Sequence, residues 1–313
     1  MSDKIVFMNH NWLTPITFFE YDAATDKLAK STWLNTANNF PDYDKLYTVK
    51  EVEIPGHDGT LIPLSIIYPK NLKRDGSAPC FMTGYGGYGI SMKPFFLGEL
   101  TAFPEQGGVL AIAHVRGGGE KGERWHKDGM KDKKPNTWKD FISCAEYLVK
   151  EKYTSPQKLA GLGASMGGVL IGRAITERPD LFAVAINSVG MTQVLRNETT
   201  SNGDNQIPEI GSIKVEKDIK PLVEMDVQSK IKAGVKYPAV LVISGINDSR
   251  VAPWMPGKFT AALQNSSASG KPVLIRVNYK AGHFANDRED SFREYADIFA
   301  FTLWQTGHPD FQP

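Results

Sequence analysis

From residue 49 onward the chain alternates short apolar runs, several of them stopped by glycine, with stretches whose apolar residues recur at helical spacing. Parallel strands need a crossover between them, usually a helix, and strands buried on both faces read as continuous apolar runs. This alternation therefore restricts the fold more than any other feature. Residues 49–54 and 61–68 read as two strands separated by the turn His57-Asp58-Gly59. Further strands are expected at 80–83, 109–115, 158–163, 183–188, 239–244 and 273–279, with helices at 136–150, 166–177, 253–264 and 289–304. The order predicts an α/β fold: a mainly parallel eight-stranded sheet with helices on both faces and catalytic groups on loops at the carboxyl ends of strands.

Residues 1–48 follow another pattern. Residues 16–22, a turn at Ala23-Ala24-Thr25-Asp26, and residues 27–33 read as a β-hairpin. A lone hairpin is marginally stable in water, so this one is expected to dock on the α/β domain of residues 49–313 or to be a remnant of a larger β structure. Residues 192–236 are polar, with weak helical stretches and no strand signal.

Composition closes off several classes. Hydrophobic residues make up 41% and charged residues 23% of the 313, which argues against disorder. Lys and Arg number 36 against 35 Asp and Glu, so no net field draws nucleic acid or anionic lipid. The Lys133-Lys134 pair is expected on the solvated surface. Two cysteines, Cys80 and Cys144, sit in apolar stretches and read as buried thiols, too few for a cysteine metal site. No cofactor or metal is implied. No apolar run reaches the length of a membrane span, and the N-terminus shows no signal peptide. The expectation is a cytoplasmic protein, or a periplasmic or secreted one if the chain is a fragment of something longer.

The segment richest in chemistry is Gly163-Ala-Ser165-Met-Gly167, between an expected strand and an expected helix. That is the context of a nucleophile elbow, in which a serine sits on a sharp strand-to-helix turn flanked by glycines. Close packing alone would also explain the glycines. A dinucleotide fingerprint would need a glycine where Met166 stands. A serine nucleophile needs a base and an orienting acid, in the chain order Ser, Asp, His for this α/β-hydrolase arrangement. Of the six histidines, His10, His57, His114 and His126 precede Ser165, and His308 follows the last helix. His283 alone lies beyond both Ser165 and a strand end. Asp248 follows the preceding strand and is the first choice of acid, whereas Asp204, Asp218 and Asp226 read as surface charges. One oxyanion donor would be the N–H of Met166. The second would come from the glycine-rich loop Gly84-Tyr-Gly-Gly-Tyr-Gly89, through backbone or a tyrosine hydroxyl.

These motifs extend along the chain: Gly84-Tyr-Gly-Gly87, Val115-Arg-Gly-Gly-Gly-Glu120, Tyr153-Thr-Ser-Pro156, Gly163-Ala-Ser-Met-Gly-Gly168, Arg178-Pro-Asp-Leu-Phe182, Asp248-Ser-Arg-Val251 and Lys280-Ala-Gly-His283. In that order and spacing the chain resembles the catalytic domain of the prolyl oligopeptidase family of serine peptidases, from about residue 49 to the end. The resemblance implies a triad of Ser165, Asp248 and His283, with Tyr85 beside the Met166 N–H as oxyanion donors. It also implies a substrate site that includes Arg250, Tyr88, Gln206 and Val251, and short peptides as substrates. Proline-selective members of the family stack the ring on a tryptophan. Here Gln206 stands in that region and Met166 replaces the asparagine after the serine, so proline selectivity is not expected to carry over. The family's β-propeller is also missing, and the hairpin looks like the end of its last blade. Two rivals stand beside a peptidase: a carboxylesterase using the same triad, and an inactive catalytic-domain fragment acting as a binding module.

Overall fold

The computed structural model describes residues 4–34, 40–96 and 98–313. A three-stranded antiparallel sheet opens the chain: β1 (Lys4–Asn9), β2 (Thr17–Asp22) and β3 (Lys27–Lys30), in the order β1-β2-β3. The expected hairpin is thus β2 and β3, ending at Lys30. The added strand β1 pairs Phe7 with Phe19 and stacks their rings 5.7 Å apart. Every residue of β1 is exposed, so it carries no buried face that an alternating pattern would have revealed.

The main sheet holds β4 (Tyr47–Pro55), β5 (Leu61–Pro69), β6 (Cys80–Gly84), β7 (Val109–Ala113), β8 (Leu159–Ala164), β9 (Val184–Ser188), β10 (Ala239–Gly245) and β11 (Val273–Asn278). Its order is β11-β10-β9-β8-β6-β7-β5-β4. The pairs β4–β5 and β5–β7 are antiparallel and the remaining pairs are parallel. Helices are α1 (Tyr43–Leu46), α2 (Gly98–Glu105), α3 (Glu123–Lys127), α4 (Pro135–Lys150), α5 (Gly167–Glu177), α6 (Val194–Asn197), α7 (Gly203–Ile210), α8 (Glu216–Met225), α9 (Trp254–Ser266) and α10 (Arg288–Gln305).

Alternation along the buried strands feeds two cores, one on each face of the sheet. Cys80, Met82, Val109, Ala111 and Ala113 pack with Phe141, Leu148, Leu170 and Ile171 of α4 and α5. Phe81, Leu110, Ile112, Val184 and Ile186 point the other way, to Phe103 of α2 and Phe299 of α10. Trp12 and Leu13 join this second core beside Tyr43, Tyr47 and Ile67, and Trp12 Nε1 donates to Glu51 Oε1 at 3.2 Å. The N-terminal segment is therefore docked on the α/β body. Cys80 and Cys144 are buried free thiols whose pKa burial drives upward. None of the described helices is long and apolar enough to cross a membrane.

Candidate active site

Ser165 lies between β8 and α5 with φ +55°, a left-handed conformation that a non-glycine residue adopts only when its surroundings impose it. Its N–H donates to the Ser188 carbonyl at 3.0 Å, and its own carbonyl accepts from Met191 N–H at 2.9 Å. The flanking glycines are steric requirements. A Cβ on Gly163 would stand 1.9 Å from the Gly167 carbonyl oxygen, and one on Gly168 would stand 2.5 Å from Gly190 Cα. At Gly167 the same atom would meet the Gly84 carbonyl at 3.2 Å, a milder conflict. The third glycine, Gly168, is thus held more tightly than the second one of the motif. Val189, a β-branched residue, also has a positive φ, +43°, and lines the same cleft as Ser165.

Three strand ends bring the expected side chains together. His283, beyond β11, places Nε2 3.0 Å from Ser165 Oγ and Nδ1 2.8 Å from Asp248 Oδ2. Asp248, beyond β10, is buried, and its Oδ1 accepts from the N–H groups of Arg250 and Val251 at 2.8 and 2.9 Å. A carboxylate can only accept, so Nδ1 carries the imidazole proton and Nε2 is left to accept from Ser165 Oγ–H. Tyr85 follows β6, at whose end its phenol comes near enough to Ser165 for the two side chains to interact. Burial pushes the Tyr85 phenol up; Ser165 and Arg250 oppose this, and Glu209 adds to it. The phenol is therefore a donor at neutral pH. Met166 buries its side chain below the Tyr85 loop, where a Cβ on Gly87 would stand 2.8 Å from Met166 Cγ.

The family model of the prolyl oligopeptidase family matches residues 94–309. The chain belongs to the prolyl oligopeptidase family. It is 36% identical over 299 residues to a prolyl endopeptidase of Elizabethkingia meningoseptica, covering 95% of this chain and 42% of that protein. It is 34% identical over 312 residues to dipeptidyl aminopeptidase BI of Pseudoxanthomonas mexicana, covering 98% and 42%. A solved structure from a study of two prolyl endopeptidases superimposes with a TM-score of 0.92 at 34% identity, covering 99% of this chain and 45% of that one. The chain thus spans about two fifths of the length of these relatives. The fold is the α/β-hydrolase fold of the prolyl oligopeptidase catalytic domain.

Next to Asp248 in the chain, Val251 is buried and Arg250 is exposed, its guanidinium 5.0 Å over the Phe284 ring. The Tyr88 hydroxyl donates to Gln206 Oε1, so these two residues close on each other. A cleft of about 380 Å³ opens beside Ser165 and His283, with Ser188, Ser244 and Glu294 in its lining. Burial raises the Glu294 carboxyl pKa, against the opposing pull of Arg276 and Ser188.

Two expectations about charges are corrected. Lys134 is fully buried rather than solvated: its Nζ donates to the Gly86 carbonyl at 2.7 Å and to Glu209 Oε1 at 3.1 Å. Asp226 is also buried, accepting from Leu195 N–H at 3.1 Å and Ser229 N–H at 2.9 Å, where it secures the turn after α8. Asp204 is exposed, and Asp218 accepts from Ser212 N–H at 3.1 Å. His126, set aside because it precedes Ser165, bonds Glu209 Oε2 through Nε2 at 2.7 Å. The only sequence signal for this group is the glycine loop it supports; nothing in the Lys-Lys pair marks one lysine as interior. His114 lies just past β7 and bonds the Ser65 hydroxyl at 2.7 Å, away from Ser165.

Proposed function

We propose that residues 49–313 form a serine peptidase domain that cleaves peptide bonds of short peptides through an acyl-enzyme. The observation that carries this reading is the unbroken chain of contacts Ser165 Oγ–His283 Nε2–Asp248 Oδ2, at 3.0 and 2.8 Å. Ser165 Oγ attacks the acyl carbon while His283 Nε2 takes its proton. The oxyanion forms against the Tyr85 hydroxyl and the Met166 N–H at the start of α5, where the helix dipole adds positive potential. Collapse of the tetrahedral intermediate breaks the C–N bond, and the imidazolium gives its proton to the departing amine. Water then attacks the ester as His283 takes its proton; the second tetrahedral intermediate breaks the acyl C–Oγ bond, His283 returns that proton to Ser165 Oγ, and the carboxylic acid product leaves. Asp248 fixes the ring and stabilises the imidazolium, and its two backbone donors keep it in place.

Substrate class follows from the family and from the relatives, whose names include prolyl endopeptidase and dipeptidyl aminopeptidase. We place Arg250, Tyr88, Gln206 and Val251 along the bound peptide, Arg250 through its fork of donors to a peptide carbonyl. With the Tyr88 hydroxyl engaged by Gln206, the wall carries polar groups, and selection for a proline ring is weaker than in a tryptophan-lined site. The N-terminal segment 1–48 is read as part of the β structure that precedes this domain in the family.

Labelling by a fluorophosphonate, with Ser165→Ala as control, tests the nucleophile. Equal labelling of both proteins overturns the assignment. Turnover of a peptide anilide compared with a short acyl ester tests the bond class, and hydrolysis of the ester alone makes the domain a carboxylesterase.

A further inference from the structure

Residues 85–89 form the loop that carries Tyr85, and three of the five are glycines. Gly86, Tyr88 and Gly89 all have positive φ, and Gly86 and Gly87 adjoin each other directly after Tyr85. Such a loop has no intrinsic preference for the one geometry that puts a phenol against Ser165. Something outside it must set the geometry.

The pins are polar and buried. The Gly86 carbonyl accepts from Lys134 Nζ at 2.7 Å; the same ammonium meets Glu209 Oε1 at 3.1 Å, and Glu209 Oε2 meets His126 Nε2 at 2.7 Å. Side-chain exposure is 1% for Lys134, 3% for Glu209 and 25% for His126, so the ion pair is sealed and the imidazole forms its outer end. His126 also underlies the end of the loop, where a Cβ on Gly89 would stand 3.4 Å from Nδ1. One turn before Glu209 on α7, Gln206 holds Tyr88. Both halves of the loop are thus tied to α7, one directly and one through Lys134.

Stability does not call for this arrangement. Buried ion pairs are generally no more stabilising than apolar side chains of the same volume, and removing one partner strands the other. What a buried ammonium does that a leucine cannot is fix the plane of a peptide. With its carbonyl locked on Lys134, the Gly86–Gly87 peptide cannot rotate, and Tyr85 is held from its carboxyl side. The Glu209 charge also disfavours a phenolate at Tyr85, which keeps the hydroxyl a donor.

We infer that Lys134 and Glu209, with His126 completing the group, are positioning residues that hold the Tyr85 loop in register with Ser165 and act on the oxyanion only through Tyr85. The inference rests on the hydrolase reading above. Its mark is non-additivity with Tyr85, which a merely structural role would not show.

The test is the rate of fluorophosphonate labelling of the full chain, since that reagent places a phosphoryl oxygen where the oxyanion forms. Glu209→Gln is expected to slow labelling about 10- to 100-fold, somewhat less than the loss from deleting an oxyanion donor outright. In a Tyr85→Phe background the same change is expected to cost less than about threefold further, the signature of residues acting through one another. On a peptide anilide the loss is expected in kcat with KM unchanged. Because Glu209→Gln strands a buried ammonium, the pair Lys134→Met with Glu209→Gln is measured alongside it, with thermal unfolding as the check on folding. This double variant is expected to keep its fold and show the same slowed labelling, and it carries the decision if Glu209→Gln does not fold. Labelling at the wild-type rate in a folded variant, or an equal fold-loss in both Tyr85 backgrounds, overturns the inference while leaving the hydrolase reading intact. A wild-type chain that does not label defeats both.

Discussion

Gly245 and Gly282 are packed so closely that a Cβ on Gly245 would stand 2.0 Å from the Gly282 carbonyl oxygen. Gly245 ends β10 and leads into the Asp248 turn, and Gly282 directly precedes His283. The two loops are joined further by Ile246 N–H to the Asn278 carbonyl at 3.0 Å and Asn247 N–H to the Ala281 carbonyl at 3.1 Å. The acid and the base are thus held by backbone contact between their loops as well as by their own hydrogen bond. Gly245→Ala is expected to force the loops apart, destabilising the fold by about 1–3 kcal/mol. Fluorophosphonate labelling should fall by more than about tenfold, since small misplacements of reacting groups cost rates of this order. Thermal unfolding and labelling rates check the two effects separately, and wild-type labelling would show that the contact does not set the geometry.

Asp248 faces three donors, two backbone N–H groups at Oδ1 and His283 Nδ1 at Oδ2. An asparagine there has one acceptor oxygen, so in either orientation its NH₂ meets a donor. Turned toward His283, it favours the tautomer with the proton on Nε2, which cannot accept from Ser165. Asp248→Asn is expected to lower kcat on a peptide anilide by about 10⁴-fold with little change in thermal unfolding. A loss below about tenfold would remove Asp248 from the mechanism.

The sheet and the Ser165–Asp248–His283 geometry were readable because each leaves a local signature. A strand buried on both faces must be apolar throughout, and a serine on a strand-to-helix turn needs glycines where side chains would collide, as at Gly163. The fully exposed β1 leaves no such trace, and neither does α2, which carries Pro104 within eight residues. Lys134 was misread for a related reason. Its burial is set by Glu209, 75 residues away, and by the Gly86 carbonyl, and neither partner is visible from the local sequence. Asp226 was misread likewise, because the backbone donors it satisfies exist only once residues 195 and 229 have been folded around it.

Asp58 joins the turn between β4 and β5 to Arg116, whose Nη1 lies 2.6 Å from Asp58 Oδ2. The Arg116 hydrogen bonds hold its carboxyl well below the usual carboxylate range, with burial opposing and Thr60 assisting. A depressed acid contributes stability above its unfolded value of about 4, and loses it as pH falls toward the folded value, because in that window the unfolded chain binds the extra proton. Asp58→Asn removes this contribution. Urea midpoints at pH 5 and pH 3 are therefore expected to fall less in the variant than in the wild type. An identical fall in both would show that the Arg116 contact does not couple to acid unfolding.

Arg116 is engaged more deeply by Asp140 of α4. Its Nε donates to Oδ2 at 2.8 Å, its Nη2 to Oδ1 at 2.6 Å, and its backbone N–H to Oδ2 at 3.0 Å. Arg116 is 4% exposed and Asp140 fully buried, so solvent cannot replace either partner. This fork also fixes the start of the 116–120 loop, where a Cβ on Gly117 would stand 2.2 Å from the Gly86 carbonyl oxygen. Asp140→Ala leaves the buried guanidinium without its inner carboxylate, with Asp58, Thr60 and His57 at its outer side, and the expected loss is about 3–5 kcal/mol. In thermal unfolding that corresponds to a midpoint lower by on the order of 10 °C. Because the loop abuts Gly86, labelling of Ser165 should slow at temperatures well below the midpoint. A variant that unfolds early yet labels at the wild-type rate would confine Asp140 to stability and separate the Arg116 loop from the Tyr85 geometry.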